Sequence, residues 1–282
     1  MWPDLRAESI VLVRRPATWL LLVAAAGLTV TFGYAIPYAG LGALGEAARG
    51  DALGLLLPAR FADTAIGGLP AFIGALALIH GVLTVGTDYA LGTWKTILVQ
   101  QPSRGAVLAG KTGVLAISAL VLVTTLLVVS AVASAIIAAL DAGVPVAGGA
   151  DVGAAAWPQA SEALADLAGG WLVVFMWAML GAALAVVLRG VALPVGIGLV
   201  WMLAVQNLIT VLAAPLLDWV EDVQPFLPGP AAGSLVASLG GGQNTLGVAV
   251  LASQSQALLV LAGYIVLFTG VALGALTARD LT

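Results

Sequence analysis

Charge is what this sequence has least of. Of its 282 residues only 9% are charged while 61% are hydrophobic, and the mean hydropathy is +1.11. Soluble domains carry roughly 25% charged residues, so this chain lacks the polar surface that would keep it in water. Cysteine is absent, which excludes disulfides, thiolate metal sites and cysteine nucleophiles. A single histidine, His80, excludes a multi-histidine metal site and a Ser-His-Asp triad built elsewhere.

What is present is apolar sequence in long runs. A spanning helix needs about 20 mostly apolar residues. Six windows without Asp, Glu, Lys or Arg reach that length: 16–45, 64–87, 112–140, 167–188, 190–217 and 223–278. The last could hold two helices, but its first half carries Pro228, Gly229, Pro230 and the Gly240-Gly241-Gly242 run, which favour turns. The expected spans are therefore 18–37, 65–86, 112–139, 168–188, 191–214 and 255–277. Between spans five and six, the apolar stretch Ala231 to Leu239 reads as a short helix dipping partway into the membrane from outside. The fold class is an all-α, multi-pass membrane protein with six transmembrane helices, and residues 1–282 form one transmembrane domain.

Sidedness follows from the basic residues, which are held back on the cytoplasmic side. Six spans place Arg6, Arg14, Arg15, Lys95, Arg104, Lys111, Arg189 and Arg279 on the side of the termini, against Arg49 and Arg60 on the other. Both termini are thus expected in the cytoplasm. Residues 2–15 mix Trp2, Leu5, Leu12 and Val13 with charges at near-helical spacing, as in an interfacial amphipathic helix ended by Pro16. The first apolar window is too long for a signal peptide, so the first span is read as its own insertion signal.

Few motifs carry chemistry. Gly105 to Thr112 fits the phosphate-cradling pattern G-x-x-x-x-G-K-[ST]. It runs straight into a span, without the strand or metal-holding acid that such a loop needs. Arg104 and Lys111, seven apart, instead read as one helix face at the phospholipid headgroups. His80 is expected to be a neutral, hydrogen-bonded group, because no second proton carrier lies beside it at membrane depth. Gln206 and Asn207 are expected to bond between helices or line a path. The hydroxyls of Ser118, Thr124, Thr125, Ser130 and Ser134 are expected to bond their own helices. Most of the eight tryptophans are expected in interfacial belts.

The longest cytoplasmic connection, Thr87 to Lys111, includes Asp88-Tyr-Ala-Leu-Gly92-Thr93-Trp-Lys-Thr-Ile-Leu, then Pro102-Ser103-Arg104 and Gly110-Lys111. This resembles the pattern between spans two and three of type-2 ATP-binding-cassette (ABC) transporter permeases. The likeness extends to the Arg-Arg-Pro-Ala-Thr-Trp entry into span one, to Phe226-Leu-Pro-Gly after span five and to Arg279-Asp280. Asp88 departs from the family's usual Glu, keeping the carboxylate but shortening its reach. The resemblance implies a permease subunit with no catalytic residues or cofactor of its own. Such a subunit pairs with a second permease copy, as a homodimer or heterodimer, and with a separate nucleotide-binding ATPase that holds ATP and Mg. It also implies that Asp88, Gly92, Thr93, Trp94, Lys95 and Thr96 form a short coupling helix, with Ser103, Arg104 and Lys111 leading back to the bilayer. In that arrangement Thr93 would be the N-cap.

The expected function is thus export of a hydrophobic or amphipathic substrate across a bacterial plasma membrane, with lipids as surroundings and no nucleic-acid partner. The alternatives are a secondary transporter working through His80, and a non-transporting membrane anchor or intramembrane enzyme.

Overall fold

A computed structural model describes residues 2–94, 96, 103–142, 157–213, 216–242 and 245–278. Among these there are helices and turns but no strand. An amphipathic helix α1 (Trp2–Arg14) is followed by α2 (Pro16–Ala43), a short α3 (Glu46–Gly54), α4 (Pro58–Ala90), α5 (Arg104–Leu140), α6 (Ala160–Leu188) and α7 (Ala192–Ala213). The chain then forms α8 (Asp218–Val223), α9 (Pro228–Ser238) and α10 (Gln254–Ala278). Helices α2, α4, α5, α6, α7 and α10 are the six long and apolar enough to cross a bilayer, and the protein is a multi-pass membrane protein.

The expected spans fall on these six helices, but several helices run further. Helix α4 starts at Pro58 and takes in Arg60 and Asp63, and α6 takes in Asp166, which is buried; the sequence had left all three in loops. Charges end an apolar window but do not end a helix. Arg60 bonds Asp63 at 2.9 Å, three residues on, so the first turns of α4 satisfy their own charges. Pro70 cannot donate a backbone hydrogen bond, and α4 passes it through a widened turn over Leu69–Ile73 rather than breaking. Two more widened turns, at Val200–Val205 and Ile209–Ala213, loosen α7.

The core lies between α4 and α6, whose most apolar stretches are 61% and 72% buried, against 17% in each of α2, α7 and α10. Two glycines bring α4 and α6 together. A methyl on Gly81 would run into the Ala178 carbonyl of α6, and one on Gly181 into the Leu78 carbonyl of α4. Backbones this close gain dispersion contacts that larger side chains would forbid, which is how helices associate where no hydrophobic force acts between them. Trp177 packs fully buried at this seam, so it does not belong to an interfacial belt as expected. Trp94 departs from that expectation too, at 3% exposure.

Between α7 and α10 the chain makes an inward excursion. Helix α9 is buried along most of its length, and the segment after it turns back at Gly247, where φ is +84°. Ser234 ties the two arms together: its hydroxyl accepts from the Leu251 and Ala252 amides and donates to the Ala249 carbonyl. The expected short helix between spans five and six is present as α9.

Candidate functional site: a buried ionic network at the end of the termini

Contacts gather the start of α2, the end of α4, the start of α5 and the end of α10 at one end of the bundle. Arg15 donates to the Leu83 carbonyl at 3.1 Å, and Arg104 donates to the Leu276 carbonyl at 2.6 Å. At that end four charges meet. Lys111, on α5, is 1% exposed, and its Nζ lies 2.6 Å from Asp88 Oδ2 and 2.8 Å from Glu8 Oε1. The Thr84 carbonyl is 3.5 Å away, and the Trp94 ring lies below with its centroid at 5.8 Å. Arg15 Nη2 stands 3.6 Å from Asp88 Oδ1. Two cations thus balance two carboxylates, and Lys111 meets acceptors or a ring on several sides. That balance makes burial tolerable, because an unpaired ion taken out of water costs several kcal/mol, of order 3–5 when one partner is lost.

The arrangement corrects the reading of Lys111 and Arg104 as headgroup contacts. Both side chains turn to protein. Lys111 closes on α1 and α4, while Arg104 caps carbonyls at the end of α10, where a helix leaves its last acceptors unpaired. The stretch Gly105 to Thr112 lies within the continuous helix α5 and forms no phosphate cradle.

The other residues singled out in the sequence sort by position. Helix α4 ends in a Schellman turn: Gly92 has φ +66°, the Thr93 amide reaches the Asp88 carbonyl and the Gly92 amide that of Tyr89. The Thr93 hydroxyl also points back, 3.2 Å from the Asp88 carbonyl and 3.4 Å from its Oδ1. These hydrogen bonds close α4, and the segment that Thr93 was expected to cap lies largely outside the described residues. Trp94 is buried and packs against Tyr89 with ring centroids 5.0 Å apart and the planes tilted by 35°, and Thr96 is exposed. Ser103 is the N-cap of α5, its hydroxyl accepting from the Ala106 amide at 3.3 Å. Lys95 lies outside the described residues, as do Arg279 and Asp280.

His80, Gln206 and Asn207 lie apart from this network. The His80 Nε2 is buried without a hydrogen-bond partner from a neighbouring helix among the described residues. The ring lines a cavity of about 280 Å³ walled mainly by apolar residues of α1, α2, α4, α5 and α6. Gln206 bonds between helices as expected, its Oε1 accepting from the Gly229 amide at the start of α9 at 2.7 Å. Asn207 instead donates to its own helix, at the Leu203 carbonyl. Ser118, Thr125 and Ser134 likewise bond backbone carbonyls of their own helix, whereas the buried Ser130 hydroxyl, expected to do the same, makes no such bond.

Sequence reasoning missed Glu8 and Arg15 as partners. The signal was faint but present: a carboxylate inside an amphipathic helix and an arginine at its end are the nearest charges to a span mouth. Among the described residues no group of three or more His, Asp or Glu is placed to hold a metal. No protein-family model matches the chain, and no curated protein matches it.

Proposed function

We propose that this chain is the permease subunit of a type-2 ABC exporter. It works as a dimer in a bacterial plasma membrane, with its termini in the cytoplasm, and a separate ATPase drives it. The observation that carries this reading is the Glu8–Lys111–Asp88–Arg15 network at the root of the connection between α4 and α5. A transporter moved by an external motor needs a short cytoplasmic element that passes force to several spans at once. Asp88 ends one span, Lys111 begins the next, Arg15 enters the first, and Glu8 sits on the interfacial helix. A push on the 91–103 connection therefore reaches α1, α2, α4 and α5 through charge-assisted bonds rather than through a loose loop. Asp88, Gly92, Thr93, Trp94, Lys95 and Thr96 would receive that push, and Ser103, Arg104 and Lys111 would pass it on.

The segment also supports the reading by its local chemistry. The Schellman turn fixes the angle at which the chain leaves α4, and Trp94 buries its ring against Tyr89 and the Lys111 ammonium. The apolar walls, with few polar groups facing inward, suit a hydrophobic or amphipathic substrate. ATP and Mg would bind the partner subunit.

The test is co-purification followed by transport. The detergent-solubilised protein should retain an ABC ATPase encoded beside it. Gly92→Pro and Lys95→Glu should each abolish ATP-driven transport in vesicles while the protein still inserts and folds. A protein that never retains an ATPase, with transport untouched by either substitution, would overturn the proposal. Uptake driven by a proton gradient without ATP, and lost in His80→Ala, would replace it with a secondary transporter.

A further inference from the structure

One turn from the ionic network, the cavity of about 280 Å³ beside His80 runs under the corner where α1 meets α2. The Thr84 hydroxyl donates to the His80 carbonyl and the Thr84 carbonyl faces Lys111, so His80 lies one turn inside the charged end. The floor of the cavity is closed: Ala77 of α4, Val114, Leu115 and Ala119 of α5, and Val174 and Ala178 of α6 are all buried. Its rim is Val13, Trp19, Ile117 and Val121, all apolar and exposed, so in a bilayer the mouth faces hydrocarbon rather than water. Its roof is held in place. The Trp19 indole donates to the Val13 carbonyl at 2.9 Å, Glu8 is bonded to Lys111, and a methyl on Gly113 of α5 would come within 2.8 Å of Leu5 Cδ1 of α1.

The polar groups of the wall point to an occupant. Ser9 donates to the Leu5 carbonyl and Ser118 to the Val114 carbonyl, each within its own helix. His80 differs: its Nε2 is buried with no hydrogen-bond partner among the described residues, although leaving a buried polar atom unpaired is costly. The wall holds no Asp, Glu, Lys or Arg among the described residues, and the four charges of the network one turn away are bonded to one another. A charged ligand would lose its water here and gain no counter-ion.

We propose that this cavity binds a small, uncharged, apolar molecule of the size of an alkylphenol, whose single hydroxyl bonds the His80 imidazole. Size and hydrogen bonding select that class. A dry apolar cavity of about 150 Å³ is filled by benzene, so about 280 Å³ takes a substituted single ring rather than a steroid or a whole lipid. A neutral imidazole offers one donor and one acceptor nitrogen, and a hydroxyl, which both donates and accepts, can bond either. An acyl chain would fill the same walls but leave the imidazole unpaired. Entry is sideways from the membrane, where an uncharged apolar molecule concentrates. The site goes beyond the transporter reading and does not rest on it: binding is separate from whether the molecule is carried, so the failure of either reading leaves the other standing.

The test uses the full-length protein in lipid nanodiscs and two probes of one shape, thymol and p-cymene, the second lacking the hydroxyl of the first. One thymol per chain should bind saturably, and about tenfold more tightly than p-cymene at equal concentration in the bilayer. His80→Leu nearly keeps the side-chain volume but removes its hydrogen bonding. It should bring thymol down to the affinity of p-cymene, while p-cymene binds as before. Ser118→Leu, which fills the cavity from α5, should abolish the binding of both. Photolabelling gives a readout that needs no variant: a thymol analogue with a diazirine on its alkyl group should mark α1, α2 and α5 at the cavity, and excess thymol should prevent it. Equal binding of the two probes, a preference for thymol that survives in His80→Leu, unchanged binding in Ser118→Leu, or labelling that excess thymol does not suppress overturns the proposal.

Discussion

Lys111 shows how one residue can bind distant parts of the chain. Its ammonium is buried, and its two carboxylate partners lie 23 and 103 positions away in sequence. Lys111→Met would keep the packing volume but leave Asp88 and Glu8 with only Arg15 to offset them. The expected cost is about 3–5 kcal/mol, read as a drop in the unfolding midpoint of the protein in detergent. Adding Asp88→Leu should return part of that loss, because the double variant leaves one carboxylate, Glu8, against one cation, Arg15, instead of two against one, and the two effects are coupled. A single variant within about 0.5 kcal/mol of the parent would mean that the network is not held together in solution. The sequence singled out both Asp88 and Lys111, yet set Lys111 at the membrane surface with Arg104. Helical spacing tells which residues share a face, but not what stands opposite that face. Here it is α1 and α4, brought there by folding.

Elements were more legible than residues. Each of the six long helices lies on one charge-poor window, because a bilayer-length apolar run has few other uses. Their ends were less legible. Arg60 pairs with Asp63 and Ser103 caps α5, so helix continues past the charges that bounded the windows. The seam between α4 and α6 was legible only as a general abundance of glycine, not as a pair of positions. It makes a sharp prediction at this scale. Gly181→Ala and Gly81→Ala each drive a methyl into a backbone carbonyl of the facing helix, which cannot rotate away as a side chain would. Each should cost about 1–3 kcal/mol or more by overpacking. Gly263→Ala, on α10 with open space around it, should be neutral or stabilise by up to about 1 kcal/mol through helix propensity. Thermal unfolding of the three variants side by side checks this, and similar midpoints for all three would rule out the tight seam.

At the scale of the whole molecule, the bundle divides its charges and its packing differently. The core is α4 and α6, while α2, α7 and α10 keep most of their apolar surface on the outside, as helices do that face lipid or a second copy. Among the described residues, basic side chains gather at the end where Arg15, Arg104 and Lys111 meet, while Arg49 and Arg60 lie at the other, paired with Asp141 and Asp63. If the basic end is the cytoplasmic one, a single cysteine at Leu91, which is 74% exposed just after α4, should react with a membrane-impermeant maleimide only in inside-out vesicles. A cysteine at Leu55, 60% exposed before the start of α4, should react only from the opposite face. No native cysteine has to be removed first, so the two single substitutions form a clean pair. Labelling of both from one face would break the six-span arrangement, and labelling in the reverse sense would turn the proposed site for an ATPase to the wrong side of the membrane.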